Sequence, residues 1–73
     1  MGDGRSDLQT AIRSYQQGDL HRAASALRTA TRTASSASDR GRAWYYLGLT
    51  LGALKGPKAA RKAFESWSRL PAA

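Results

Sequence analysis

The side chains that carry most enzyme chemistry are scarce in this chain. His21 is the only histidine, and its nearest acid along the sequence is Asp19. A histidine at a helix start with one acid beside it is typical of a solvated surface residue rather than of a general base. Glu65 is the only glutamate, so no carboxylate pair is evident, and no metal-ligand spacing or glycine-rich phosphate loop is present. We predict no enzyme, no metal site and no cofactor.

The remaining chemistry is electrostatic. Twelve Lys and Arg residues against five Asp and Glu residues give a formal net charge of +7, which favours acidic partners such as nucleic acid, anionic lipid or an acidic protein face. Arginine and alanine are both abundant, a bias that a GC-rich genome produces without selection for binding. We therefore prefer to interpret the cations as a solvated surface, and keep a small basic nucleic-acid-binding protein as the alternative function.

The length of the chain limits its core. A domain of 73 residues buries only about 60% of the surface that its unfolded chain exposes. The chain has no cysteine, so neither disulfides nor thiolate metal sites supplement the core, which is compatible with the cytoplasmic location that we expect. No apolar run approaches the ~20 residues of a membrane span, and the first twenty residues are too polar for a signal peptide.

Apolar residues recur at helical spacing in four stretches, of which two fill the first half. Ser6 and Gln9 form a capping box, which predicts a flexible start over residues 1–6 and a first helix from about Asp7. Gly18 ends that helix, and Asp19 is the predicted N-cap of the second. The two apolar stripes are Leu8, Ala11, Ile12 and Tyr15, then Leu20, Ala23, Ala24, Leu27 and Ala30.

The second half predicts two more helices. Residues 31–39 are rich in Ser, Thr and Ala and predict a frayed helix end and a loop, with Ser38 or Asp39 capping a third helix over about 40–55. Gly56 and Pro57 mark the next turn, since proline is tolerated at the first position of a helix. The buried stripe of the fourth helix would be Ala60, Ala63, Phe64, Trp67 and Leu70, with Pro71 ending it. We predict an all-α domain of four antiparallel helices over residues 7–70.

Close packing between the last two helices is also predicted. Gly48 lies one turn after Trp44 and offers a position without a side chain, where a second helix can come close. We expect Ala60 to enter that space, with Phe64 one turn further on, and we expect Trp44 and Leu47 to be structural. Ala11 and Ala23 would nest in the same way in the first half.

The order Trp-x-x-Leu-Gly, then Ala-x-x-x-Phe, then proline resembles the tetratricopeptide repeat, a helix-turn-helix unit of about 34 residues. At an offset of 37 residues, Ala11 falls on Gly48, and Leu27 falls on Phe64. The first half therefore resembles a degenerate repeat over about residues 5–33, and the second half a repeat over about 39–70.

The resemblance implies a protein-interaction or assembly module. In tetratricopeptide arrays the first helix of each pair lines a concave groove that holds a peptide or a helix, and the expected ligand here is apolar with a charged end. Domains that clamp a chaperone carboxylate carry Lys and Asn on this face, where this chain is apolar, so we do not expect carboxylate clamping. The candidate groove residues are Arg5, Leu8, Ile12, Tyr15, Arg42, Tyr45 and Leu49.

Three interpretations of these candidate residues stay open. They bind a protein or peptide partner, they form the face of a homodimer, or they are ordinary core. Solenoid units usually need three or more repeats and a polar cap, which gives weight to self-association. For the nucleic-acid alternative, the basic ridge would consist of Arg22, Arg28, Arg32, Lys55, Lys58, Arg61, Lys62 and Arg69.

Overall fold

A computed structural model describes the backbone of residues 4–69 and the side chains of residues 7–69. This part of the chain is all-α and contains no strand, as predicted. The expectations for Leu70 and Pro71, and for the side chain of Arg5, lie outside the described residues. The helices are α1 (Gly4–Gln16), α2 (Leu20–Thr33), α3 (Ala37–Lys55) and α4 (Pro57–Ser68).

The first helix begins earlier than its capping signal predicts. Residue Gly4 is already helical, so Ser6 lies inside the first turn and is not the N-cap of α1. The predicted start near Asp7 was wrong, because extending a formed helix adds about one backbone hydrogen bond for each residue fixed. The predicted end is confirmed: α1 stops at Gln16, and Gly18 has a φ of +83°, a conformation that glycine adopts without strain.

The N-cap of α2 is as predicted, whereas that of α3 is not. The Asp19 carboxylate accepts a hydrogen bond from the Arg22 N–H at 3.3 Å. In α3 the cap is Ser36, whose hydroxyl accepts from the Asp39 N–H at 3.1 Å, so the prediction of Ser38 or Asp39 was wrong. Ser36 has the extended backbone of an N-cap, and capping there adds three residues to the helix. The α2–α3 loop shrinks to residues 34–36.

The four helices form two hairpins. The start of α1 meets the end of α2, where the Thr33 hydroxyl donates to the Asp7 carboxylate at 3.5 Å. Among the described helices, α3 contacts α1, α2 and α4, whereas α4 contacts only α3. The Cα trace measures 30 × 27 × 13 Å, and its short dimension corresponds to two layers of helices packed about 8–10 Å apart. We assign α1 and α3 to one layer and α2 and α4 to the other.

The α3–α4 hairpin pairs residues that are equidistant from Gly56. A Cβ atom at Gly52 would lie 3.2 Å from the Ala60 Cβ, and one at Gly48 would lie 2.5 Å from the Phe64 Cζ. The predicted pairing of Gly48 with Ala60 was therefore wrong by one helical turn. Its physical reason is the turn itself: α3 ends at Lys55 and α4 begins at Pro57, so a single residue sets the register of the two helices.

The burial of Trp67, in the same hairpin, differs from the prediction. This residue was expected in the buried stripe of α4, but Trp67 is 39% exposed. Its indole lies over Gly41, where a Cβ would be 3.3 Å from the ring. The absence of a side chain at Gly41 thus gives the large ring a place at the edge of the hairpin rather than in the core.

The core is small and rich in alanine. Leu27 is fully buried and is the largest apolar side chain with no exposed surface. Thr50 is also fully buried, and its hydroxyl donates to the Tyr46 carbonyl at 2.7 Å, which satisfies the polar group. The alanines let the helices approach closely. The stability of the domain then depends on how the few buried leucines pack between them. The buried cluster consists of Leu8, Ala11, Ala23, Leu27, Ala30, Ala43 and Leu47.

Candidate interaction surfaces

The described residues contain no cluster of side chains suited to metal binding. No three His, Cys, Asp or Glu side chains between residues 7 and 69 come together as metal ligands would. His21 and Glu65 are both exposed, and the Asp19 carboxylate lies 3.7 Å from the Arg22 guanidinium. The surfaces formed by apolar and cationic side chains are therefore the candidate sites.

The candidate residues on α1 have different environments. Leu8 is only 2% exposed and belongs to the buried cluster, so it supports the fold and is not a contact residue. Ile12 and Tyr15 are partly buried and pack against that cluster. Of the α1 candidates with described side chains, these two have surface that a partner can reach.

The candidates on α3 are more exposed. Tyr45 is 48% exposed and is one of two large hydrophobic residues with exposed side chains in the described part of the chain, the other being Trp67. Arg42 is exposed, and Leu49, one turn after Tyr45, is partly buried. The spacing of Arg42, Tyr45 and Leu49 places them on one side of the helix.

Four aromatic rings connect α1, α3 and α4. The centroids of Tyr15 and Tyr46 are 5.5 Å apart and those of Tyr45 and Tyr46 are 5.6 Å apart, both edge-to-face. The rings of Tyr45 and Phe64 are 6.5 Å apart. We call Tyr15, Tyr45, Tyr46 and Phe64 the aromatic face. It joins two predicted site residues, Tyr15 and Tyr45, through Tyr46, which was not among the predicted site residues.

A groove lies on the other side of the molecule, between α2 and α4. These two helices do not contact each other within the described residues, and α3 forms the floor between them. The groove encloses about 500 Å³, and a recess of about 280 Å³ adjoins it, with Arg28, Leu51 and Lys55 lining both. We call this surface the cationic groove; its lining residues are Arg28, Thr31, Trp44, Leu47, Leu51, Lys55, Ala59, Lys62, Ala63 and Ser66.

Trp44 contributes to the groove by packing alone. It is partly buried against the core cluster, and its indole nitrogen is buried without a hydrogen-bond acceptor among the described residues. Leu47, one helical turn further on, is almost fully buried. The structural role predicted for these two residues is consistent with this packing, and their outer edges also form the floor of the groove.

Comparisons of the chain with protein-family models, with curated proteins and with solved structures give no match. Within the described helices, none combines the length and the apolar character needed to cross a membrane. Function is therefore inferred from the aromatic face and the cationic groove.

Proposed function

We propose that this chain is a non-catalytic protein-interaction module of tetratricopeptide type, which binds a peptide or helix, or a second copy of itself, through the aromatic face. The observation that carries the proposal is that Tyr45 is 48% exposed while its ring packs against those of Tyr46 and Phe64. Tyrosine is enriched at interfaces because it supplies a large apolar contact area and a polar tip while having few rotatable bonds.

The arrangement of the helices supports the likeness to two tandem repeats. The second hairpin stacks on the first through α3, which contacts both α1 and α2. The first helices of the two pairs, α1 and α3, lie in one layer and contact each other, whereas α2 and α4 do not. In tetratricopeptide arrays the first helices of successive pairs line the concave side, so the contact between α1 and α3 fits this likeness.

The residues around the aromatic face indicate the chemistry of the ligand. Ile12 and Leu49 contribute apolar area, and the ring of Tyr45 extends it. Arg42 lies exposed near one end, where it can pair with a carboxylate. An apolar segment with an acidic end fits this pattern. A central aromatic anchor with a polar edge is the usual anatomy of a specific interface.

Replacing Tyr45 and Leu49 together by alanine is expected to weaken partner or dimer binding at least about tenfold while sparing the fold, since aromatic anchors commonly account for ≥1.4 kcal/mol of binding. Two measurements check this: sedimentation velocity of the chain over a concentration series, and affinities for peptides selected from a random display library. Leu54→Ala is the matched control, because Leu54 is a partly buried α3 leucine that lines the other side of the molecule.

The outcomes separate the two kinds of partner. A wild-type dimer that becomes monomeric in the double variant supports self-association, and a wild-type monomer whose selected peptides bind the variant weakly supports a peptide partner. If the variant, with an unchanged circular dichroism spectrum, dimerises and binds the selected peptides as tightly as the wild type, the aromatic face is not the interface.

A further inference from the structure

The cationic groove combines an apolar floor with a charged rim. On α3 the floor is formed by Leu47, Leu51 and the outer edge of Trp44. Ala59 and Ala63 continue this apolar surface onto α4. The polar side chains lie at the borders, on α2, on α4 and at the end of α3. This is the distribution expected where an amphipathic segment lays its apolar side against a protein.

The charges of the rim all have one sign. Arg28 approaches from α2, Lys62 from α4 and Lys55 from the end of α3, and each of the three is exposed. No residue that lines the groove or the adjoining recess is acidic. The three cations repel one another only weakly, because water screens them. Since all three are positive, an incoming carboxylate is attracted to each of them.

The groove and its recess form one continuous surface along α2. Their lining residues on that helix run from His21 to Thr31, a separation of about 15 Å at 1.5 Å per residue. That length matches about three turns of a bound helix. A ligand of this size would contact all three rim cations at once.

We propose that the cationic groove binds an acidic amphipathic helix of a partner protein, with the ligand's leucine-type side chains on the floor and its carboxylates paired with Arg28, Lys55 and Lys62. This surface lies apart from the aromatic face, so the inference is independent of the function proposed above. The occupant is identified by charge complementarity and by the apolar floor together.

A nucleic acid fits the same charges less well. A phosphate backbone has no apolar side chains to cover Leu47, Leu51 and the two alanines, and covering the floor with it would desolvate phosphates without compensation. Proteins that bind single strands present exposed rings for stacking, whereas Trp44 is packed against the core. An acidic amphipathic helix therefore complements both the apolar floor and the cationic rim of the groove, whereas a nucleic acid complements only the rim.

The test uses three fluorescent probes and the full chain at low salt. The first probe is a synthetic helix of about 14 residues with leucines at positions i, i+3, i+4 and i+7 and glutamates elsewhere. The second has the same composition in scrambled order, and the third is a random-sequence DNA duplex. We expect the amphipathic helix to bind at least about tenfold more tightly than either of the other two.

Two matched charge-reversal variants locate the binding. Arg28→Glu with Lys62→Glu changes the rim, whereas Lys58→Glu with Arg61→Glu makes the same change of net charge at exposed positions outside the groove. The first pair is expected to raise the Kd of the amphipathic helix at least about tenfold and the second less than about threefold, since exposed distant charges are screened. The Tyr45→Ala, Leu49→Ala variant should bind this probe as the wild type does.

Each other result would overturn the proposal. Equal effects of the two charge-reversal pairs, in variants with wild-type melting curves, would show attraction by net charge alone. Equal binding of the scrambled peptide would remove the role of the apolar floor. Tighter binding of the duplex, with a steep fall in affinity as salt rises, would assign this surface to nucleic acid, and absence of binding by any probe would assign it to solvent.

Discussion

Replacing Gly48 by leucine is expected to lower the free energy of unfolding by about 1–3 kcal/mol or more, the usual cost of overfilling a close contact. Domains of this size rarely have more than about 3–5 kcal/mol of stability, so much of the variant would be unfolded or loosened at 37 °C. Urea denaturation followed by circular dichroism measures the loss. An unchanged unfolding midpoint would contradict the close approach of α3 and α4.

The geometry at Gly48 explains the size of this effect. A Cβ atom there would lie 2.5 Å from Cζ and 2.6 Å from Cε1 of Phe64, distances at which the ring must move. Tyr45 lies against the same ring, so the aromatic face would be disturbed as well. Gly52 is the comparison position, because a Cβ there would meet only the Ala60 methyl at 3.2 Å.

Two further variants identify Phe64 as the cause. Gly52→Ala should be nearly neutral, because the gain of about 1 kcal/mol in helix propensity offsets a slight crowding. Phe64→Ala in the Gly48→Leu background should recover part of the stability, since it removes the ring that the leucine displaces. Strictly additive losses for Gly48→Leu and Phe64→Ala would show that the two positions do not interact.

Replacing Leu27 by alanine is expected to cost about 2–5 kcal/mol, which removes most or all of the stability of the domain. Leu27 is fully buried, and the other members of its cluster are mostly alanines. Alanine side chains have no rotamers with which to fill the space, so the cavity would stay open. Thermal unfolding by calorimetry, with and without a stabilising osmolyte, measures the difference.

Leu49→Ala is the matched control for Leu27. It is the same substitution in the interior of a helix, but at a partly exposed position on the α1–α3 side. We expect Leu49→Ala to lower the free energy of unfolding by less than about 1.5 kcal/mol, because this side chain buries less apolar area than Leu27 does. Equal losses for the two leucines would mean that the buried cluster is not centred on Leu27.

Local signals predicted the elements of the fold well. Gly18 with Asp19, and Gly56 with Pro57, mark two of the three turns, because positive-φ glycines, a carboxylate cap and an N1 proline act within a few residues. The starts of α1 and α3 were predicted wrongly because the local signal there is ambiguous. Several serines and aspartates can each cap a helix, and the longest helix that packs decides among them.

The register between helices was beyond the sequence pattern. Similarity to a repeat predicted that Gly48 pairs with Ala60, whereas the one-residue turn pairs Gly48 with Phe64 and Gly52 with Ala60. Helical periodicity repeats every turn, so a shift of four residues preserves the pattern of small and large side chains. Only the length of the turn separates the two registers.

The candidate surfaces were predictable in part. Arg42, Tyr45 and Leu49 followed from the resemblance to a tetratricopeptide repeat, and all three side chains are at least partly exposed. Leu8 was misplaced because one stripe on α1 contains both core and surface positions. The rim cations of the cationic groove, Arg28, Lys55 and Lys62, all belong to the predicted basic ridge. The apolar floor between them was not predicted, because it depends on the separation of α2 from α4, which share no sequence signal.

Both proposed surfaces depend on the register of α3 and α4, and cysteine cross-linking tests it directly. The chain has no cysteine of its own, and a Cβ at Gly52 would lie 3.2 Å from the Ala60 Cβ, near the roughly 3.5–4.5 Å of a disulfide. Mild oxidation should therefore cross-link the Gly52→Cys, Ala60→Cys variant within one chain, as measured by thiol titration and mass spectrometry. The Gly48→Cys, Ala60→Cys variant should stay reduced, and it is compared under conditions where its circular dichroism spectrum shows it folded, because a Cβ at Gly48 also displaces the Phe64 ring. Cross-linking of the second pair but not the first would contradict the register, and with it the aromatic face and the cationic groove.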